Sequence, residues 1–497
     1  MLVLVVLVAC LAILWLYIRR RASFAASLPT IEPCYPLVGN LMLIIGKNSE
    51  QLFEGFQRAF AHPAKLFKFM AGVMPVVVTN DPDITQKILT SPDCLEKAFL
   101  YKFFRLDHGL FAADYDIWKG QRKTLNPTFN QKILHGFIPL FDKYSQELVQ
   151  SVNSLADGKT AFNISPLMHR LAMKTICATT IGVEFERNSD ADRLSELLQR
   201  IFHMTFKRLF RFHWHFEWIY RLTKEYKKDM ELRTEAYTFG DEIMRKAAER
   251  HAQELSLSAE VDTNNNRKLQ IFMDQMLDKF EKVEIVDNFY TMLVAGSDTS
   301  GTQMTYIALA LAVYQEYQEK VYQEICSVYP LDQELNITAD SLQQLQYTEM
   351  FLKECMRLLT VGPALVRKNL ATVDLGDIKV PPGNTLILSV YNLHRRKDIW
   401  GPNADQFDPE HFSPERSAGR HPYAFIPFSA GNRNCPGNRY AMINMKTILV
   451  HLVRNFKLTT DWRLEDLRFR FEALLKTKSD PEIRAERRVI LNLNSEN

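Results

Sequence analysis

The sequence predicts a mainly α-helical globule with a small β-rich lobe, preceded by a single N-terminal transmembrane helix. Three observations carry this. Residues 285–327 form one long helical pattern, apolar and Ala-rich over 307–313, and residues 440–456 form a second apolar-periodic run. Residues 65–70 and 75–79 have the composition of two strands joined by a turn at Gly72. Residues 2–18 are apolar without a charge, and Arg19, Arg20 and Arg21 follow at once.

A length of 497 residues would allow about three average domains. No long Gly/Ser- or Pro-rich linker divides the chain, so it reads as an anchor with a basic stop (1–21), a proline-rich hinge (22–40) and one large domain (41–497). A hydrophobic fraction of 46% supports a large core, and a net charge of +3 is too balanced for a nucleic-acid partner. The seven cysteines are odd in number and scattered, with no C-x-x-C pair. That argues for a reducing compartment over a disulfide framework.

Taken in order, the N-terminal run carries its positive charge after the apolar core, the reverse of a signal peptide. Ala25 and Ala26 keep cleavage open as the rival reading. An uncleaved anchor would hold the following chain on the cytosolic side. Pro29, Pro33, Pro36 and Gly39 make a stiff connector. Asp81 caps a helix with Pro82 in its first turn, running to Leu89. Trp118 and Arg122 lie four apart, so on a helix they share a face, and both can donate to one carboxylate. Residues 193–222 interleave Phe202, Phe206, Phe210, Phe212, Trp214, Phe216, Trp218 and Tyr220 with basic residues. A membrane surface suits that mixture, and ordinary core packing is the alternative. Residues 255–269 are polar and unpatterned, an exposed loop.

Three stretches carry chemistry. Ala295-Gly296-Ser297-Asp298-Thr299-Ser300 is poor material for a buried helix interior, and a local distortion there would free a carbonyl. Glu354 and Arg357 stand at i, i+3 among apolar residues, which suggests a buried ion pair. Residues 373–380, the Pro381-Pro382-Gly383-Asn384 turn and residues 385–390 read as a hairpin. Residues 427–437, from Pro427 and Phe428 through Arg433 and Cys435 to Gly437, set one cysteine just ahead of a helix. A thiolate there meets free N–H groups, and Arg433 adds a fixed cation. The features suit a metal-bound cysteine beside an anionic cofactor, with a plain core thiol as the alternative.

In chain order the motifs are W-x-x-x-R, A-G-x-D-T, E-x-x-R, a variant P-E-x-F and F-x-x-G-x-R-x-C-x-G. The set resembles the cytochrome P450 superfamily, microsomal and family-4-clan-like, of insect type, over most of the chain. The resemblance implies the cytochrome P450 fold and haem b, with Cys435 as axial ligand of the iron. It implies that Trp118, Arg122, Arg367 and Arg433 hold the haem propionates, with Phe428 and Gly437 shaping the loop. Asp298 and Thr299 would relay protons to iron-bound oxygen, and Glu354 and Arg357 would brace the haem loop. His411 stands where the family usually has a third bracing arginine; it lacks the permanent charge and fork of that residue. Ala295 stands where many clan members carry a glutamate, so covalent haem attachment does not carry over.

The implied reaction inserts one atom of O₂ into a small apolar substrate: a lipid, hormone or xenobiotic. Electrons would come from NADPH through cytochrome P450 reductase, with cytochrome b5 as a second donor, at the cytosolic face of the endoplasmic reticulum membrane. A haem-thiolate isomerase or dehydratase, and a non-enzymatic haem sensor, are the alternatives; retention of Asp298 and Thr299 argues against both.

Overall fold

The computed structural model describes residues 22–260, 271–472 and 474–488, with positions 9, 13, 16 and 20 of the N-terminal run. The expected anchor over residues 2–18 and most of the expected loop over 255–269 lie outside the described residues. Among the described residues, no helix is long and apolar enough to cross a membrane. Helix α7 (Lys224–Glu260) runs through the start of that loop, which therefore begins later than its polarity suggested.

The small lobe is built on a four-stranded sheet. Strands β1 (Phe67–Ala71) and β2 (Met74–Thr79) pair antiparallel through the Gly72 turn, as expected. Strand β2 then runs parallel to β4 (Thr385–Ser389), which pairs antiparallel with the edge strand β3 (Ala364–Lys368). In that register Val77 faces Leu386, and Leu386 faces Arg367. The hairpin expected across Pro381–Asn384 does not form. Val373–Asp374 pairs with Lys379–Val380, while the strand after the turn joins β2 and β3. Asn369 explains the split: its amide donates to Val380 O and Pro381 O, and its Oδ1 accepts from Asn384 N at 2.8 Å. Asn369 thus spans the turn whose prolines have no N–H to give.

The helical body surrounds α8 (Lys282–Val313), buried on all sides over its second half. Around it pack α4 (Ile138–Asn153), α5 (Ser165–Ile176), α6 (Asn188–Leu209), α10 (Gln346–Leu358) and α11 (Asn438–Asn455). Helix α1 (Ser49–Phe60) and helix α2 (Pro82–Thr90) border the sheet; Asp81 caps α2 by accepting from Asp83 N and Ile84 N. The long helical pattern is two helices, α8 and α9 (Gln315–Val328), broken at Tyr314. The Tyr314 ring stacks on Phe407 at 4.6 Å, and Gln315 and Gln318 beyond the break donate to Leu458 O. Tertiary partners at the break outweigh local helix propensity.

Residues 193–209 are regular helix within α6. The aromatic set divides. Phe206, Trp214 and Tyr220 are buried, whereas Phe216 and Trp218 are exposed. Leu222 and Phe99 are exposed too, and the Phe99 ring lies 5.7 Å from His215 in the same segment.

Candidate functional site

The cysteine loop is fixed by its own backbone. Cys435 N donates to Phe428 O at 2.9 Å, and Ser429 and Gly431 both have positive φ. At Gly431 (φ +71°) a Cβ would stand 1.9 Å from Leu89 O, so only glycine allows the loop to pass α2. Gly437 caps α11, and the only atom near its missing Cβ is Cys435 Sγ at 3.9 Å. The space beside Gly437 is therefore open to something other than protein. Cys435 is exposed, yet enough protein surrounds its thiol that burial raises its pKa. The Gly437 N–H and the Arg122 charge pull the thiol pKa back down. Cys94, Cys177 and Cys355 are enclosed, and burial raises each of them; for Cys94 the value is about 11. They are core thiols.

Four cations gather near the loop. Trp118 and Arg122 sit on helix α3 (Tyr115–Leu125), Trp118 buried and Arg122 donating to Asn434 Oδ1 at 2.9 Å. Arg433 lies over the Trp118 ring at 4.8 Å and donates to Leu95 O and Ala113 O. Its Nε, buried, has no partner. Burial, then Arg367, lowers the Arg433 pKa to about 10. Arg367 is almost wholly buried, with only Val366 O at 3.1 Å and Ser429 Oγ at 3.5 Å as acceptors. The fourth cation, Lys97, was not foreseen. Its Nζ lies 4.2 Å from the Tyr101 ring centroid, and burial, then Arg367 and Arg433, push its pKa well down. Among the described residues none of the four has an ion-pair partner. Buried cations without anions are costly. The set fits a cofactor with carboxylates. No motif marks Lys97; its only signal is a lysine two residues from Phe99 and four from Tyr101.

Beneath the loop, Glu354 and Arg357 of α10 form a fork at 2.7 Å through both Nε and Nη2, with both side chains 0% exposed. Arg357 also donates to the carbonyls of His394, Ala404 and Gln406. Glu354 Oε1 accepts from Asp408 N at 2.8 Å and lies 3.1 Å from His411 Nδ1. The substituted histidine therefore occupies the third bracing position. His394, unmarked in the sequence, extends the brace: its Nε2 accepts from Ile426 N at 3.0 Å, one residue before Pro427. Burial and the nearby Arg357 hold its pKa well below the usual histidine value, so the ring is the neutral acceptor this bond requires.

Helix α8 is helical throughout 295–300, so the expected distortion is absent. Ser297 and Thr299 hydroxyls donate to Leu293 O and Ala295 O, each at 2.5 Å, satisfying themselves within the helix. Gly296 serves packing instead: a Cβ would lie 2.5 Å from Ile176 of α5. Ala295 is exposed. Asp298 is buried, with Lys476 Nζ at 2.8 Å and His169 Nε2 at 3.3 Å. Desolvation is the largest influence on Asp298 and raises its pKa; His169 and Lys476 together outweigh it and leave the net shift downward.

The chain matches the family model described as Cytochrome P450 over residues 29–482. It is 29% identical to a probable cytochrome P450 313a4 of Drosophila melanogaster, over 96% of this chain and 98% of that one. It is also 29% identical to cytochrome P450 4c21 of Blattella germanica, over 89% and 90%. Cytochrome P450 4V2 of Mus musculus is 28% identical over 94% and 91%. With an exposed cysteine in this loop, cations near it that have no ion-pair partner among the described residues and this match over most of its length, the chain belongs to the cytochrome P450 family, as an insect-type haem-b monooxygenase.

Proposed function

We propose that this protein is a membrane-tethered monooxygenase that oxidises a small apolar substrate with electrons from NADPH, delivered by cytochrome P450 reductase, with cytochrome b5 as a second donor. The observation that carries the site assignment is the group of unpaired cations next to an accessible cysteine. Cys435 is the iron ligand. Trp118, Arg122, Arg367 and Arg433, with Lys97, take the two propionates as charge-assisted donors. Bound haem b supplies the iron centre at which O₂ is cleaved. The protein's share is to hold the thiolate, exclude water and manage protons. Asp298 and Thr299 handle those protons. Glu354, Arg357 and His411 keep the loop in place.

The tether is residues 1–21, followed by the hinge over 22–40 and the domain over 41–497, at the cytosolic face of the endoplasmic reticulum membrane. Phe216, Trp218 and Leu222, at 59%, 68% and 81% exposure, support a second contact with the bilayer beside Phe99.

The test is spectroscopic. Reduced, carbon-monoxide-bound protein should show the band of a thiolate-ligated ferrous haem. Cys435→His should move the band to the histidine-ligated position and abolish NADPH-driven turnover. Cys355→Ser, beside Glu354, should keep the thiolate band. A Cys435 variant with both band and activity intact would refute the ligand assignment. NADPH-dependent O₂ consumption with reductase separates this reading from an isomerase or a sensor.

A further inference from the structure

Asp298 is not alone behind α8. His169 lies on α5 and reaches it because Gly301 has no side chain: a Cβ there would come within 2.7 Å of the imidazole. His169 Nδ1 faces Ser165 O at 2.9 Å and Ser165 Oγ at 3.3 Å. A carbonyl can only accept, so Nδ1 carries a proton in this geometry. The other nitrogen, Nε2, meets Asp298 Oδ1 at 3.3 Å and Thr302 Oγ1 at 3.5 Å. Nε2 and Oδ1 are near enough to share one proton, held by either atom. Ser165, at the start of α5, is half-exposed, whereas His169 and Asp298 are buried. The three residues form a file from the surface to α8.

Lys476 comes from a different element, strand β6 (Leu474–Thr477), which pairs with β5 (Phe469–Glu472). The β5–β6 hairpin is anchored to α8 at a second point, where Tyr306 donates to Leu475 O at 2.7 Å. The other charged groups nearby are engaged elsewhere. Arg170 and Lys174 on α5 pair with Asp192 and Glu147. Glu472 pairs with His203 of α6 and Arg470.

We propose that Ser165 and His169 are the proton-entry file of Asp298, with Lys476 as the residue that fixes where its carboxylate points. In its Nε2–H tautomer His169 gives that proton to Asp298 Oδ1 while Nδ1 takes one from the Ser165 hydroxyl, which solvent resupplies; the Nδ1–H ring bonded to Ser165 O is the state after transfer. The imidazole changes tautomer and no electron moves. His169 and Lys476 are positioning residues, acting through Asp298. This rests on the proton-handling reading of Asp298 above, and the test separates the two.

The first arm needs no turnover. In infrared spectra of the holoenzyme, acidification should add the carbonyl stretch of a protonated carboxyl that is absent from Asp298→Asn. In Lys476→Gln and in His169→Gln that signal should appear at higher pH than in the wild type, because desolvation is left to dominate. Lys476→Arg should restore the wild-type midpoint. The same midpoint in all four proteins would overturn the pairing. The second arm is NADPH oxidation by the holoenzyme with purified cytochrome P450 reductase. General acid–base groups contribute about 10²–10⁴-fold, so a residue acting through one should cost less, roughly tenfold in the fraction of NADPH that yields water in place of peroxide. His169→Gln should show that loss, with a larger solvent isotope effect and an unchanged carbon-monoxide band. Should His169→Gln fail to hold haem, Ser165→Ala carries the same test at the half-exposed end. Wild-type behaviour of these variants beside a defective Asp298→Asn would overturn the entry file and leave the reading of Asp298 standing. A wild-type Asp298→Asn would overturn both.

Discussion

Two clusters of buried arginine lie close to the cysteine loop, and they are built on opposite plans. Arg357 is saturated: its guanidinium meets a carboxylate fork and three backbone carbonyls, all supplied by the chain. Arg367 and Arg433 are under-supplied, with a few carbonyls and hydroxyls, one orphaned Nε, a lysine nearby and no ion-paired carboxylate. The first cluster is complete within the polypeptide and serves the fold. The second is complete only when an anion arrives. Burial alone does not tell a structural charge from a functional one; the list of partners does.

The sharpest way to break this contrast is to remove Arg357. Its loss leaves Glu354 as an uncompensated buried charge, at a cost of about 3–5 kcal/mol. Arg357→Ala should lower the denaturation midpoint of apoprotein and holoprotein alike. Glu354→Gln with Arg357→Met should recover part of the loss. A midpoint that falls in the holoprotein only would place Arg357 with the haem-directed set.

Arg367→Met and Arg433→Met should behave in the reverse manner. Each removes a buried charge that the apoprotein cannot pair, so the apoprotein should melt at the same temperature or higher. Haem affinity should fall about 10–100-fold, the worth of one charge-assisted bond of ~1.5–3 kcal/mol. Titration of apoprotein with haem measures it. Lower apoprotein stability with unchanged haem affinity would merge the two clusters into one.

The difference between the clusters also marks what was legible in the sequence. Motif spacing pointed to the buried Glu354–Arg357 pair and to the helical run that carries Asp298 and Thr299, and both are present. The β-lobe was read correctly at Gly72 and at the Asp81 cap, where the signal is local. It was misread at Pro381–Asn384, because the partners of residues 385–389 are β2 and β3, the first of them some 300 residues away in sequence. Lys97, His169, His394 and Lys476 left no trace. Each acquires its role from a contact made by tertiary packing, such as Gly301 admitting His169 against α8. Gly296 looked like a helix breaker and is a packing glycine, since what it touches lies on α5.

The cation cluster can be probed by pH without any mutation of its arginines. The Lys97 ammonium is disfavoured in the folded chain, so its folded pKa lies well below the ordinary lysine value. Between the two values the unfolded chain binds the extra proton, and stability therefore rises with pH across that window. Below the folded value both states are protonated and the penalty is constant; above the ordinary value it is gone. Apoprotein stability, measured by denaturant unfolding, should climb through this window. Lys97→Met should remove the climb, and bound haem should flatten it by giving the ammonium a partner. A climb that persists in Lys97→Met would assign it to another group.

The smallest expected effect tests the brace where it departs from the usual pattern. His411 Nδ1 approaches Glu354 Oε1 at 3.1 Å, but that oxygen already accepts from Arg357 and Asp408 N. His411→Ala therefore leaves Glu354 satisfied, and should cost about 1–2 kcal/mol, less than any change to Arg357. The ring also stands at 89° to Trp400 with centroids 6.0 Å apart, so part of that cost is packing. His411→Arg adds a cation beside two others, Arg357 at the fork and Arg420, which donates to His411 O. Arg420 lies over the Trp400 ring at 4.1 Å and fills the cationic place next to the histidine. The arginine usual in the family should thus bring no gain here, and His411→Arg should become stabilising only when Arg420 is also changed to Met. Thermal unfolding of the two single variants and the double variant closes the cycle. A clear gain from His411→Arg alone would mean that the histidine leaves the brace incomplete, and that the two clusters differ less than their partner lists suggest.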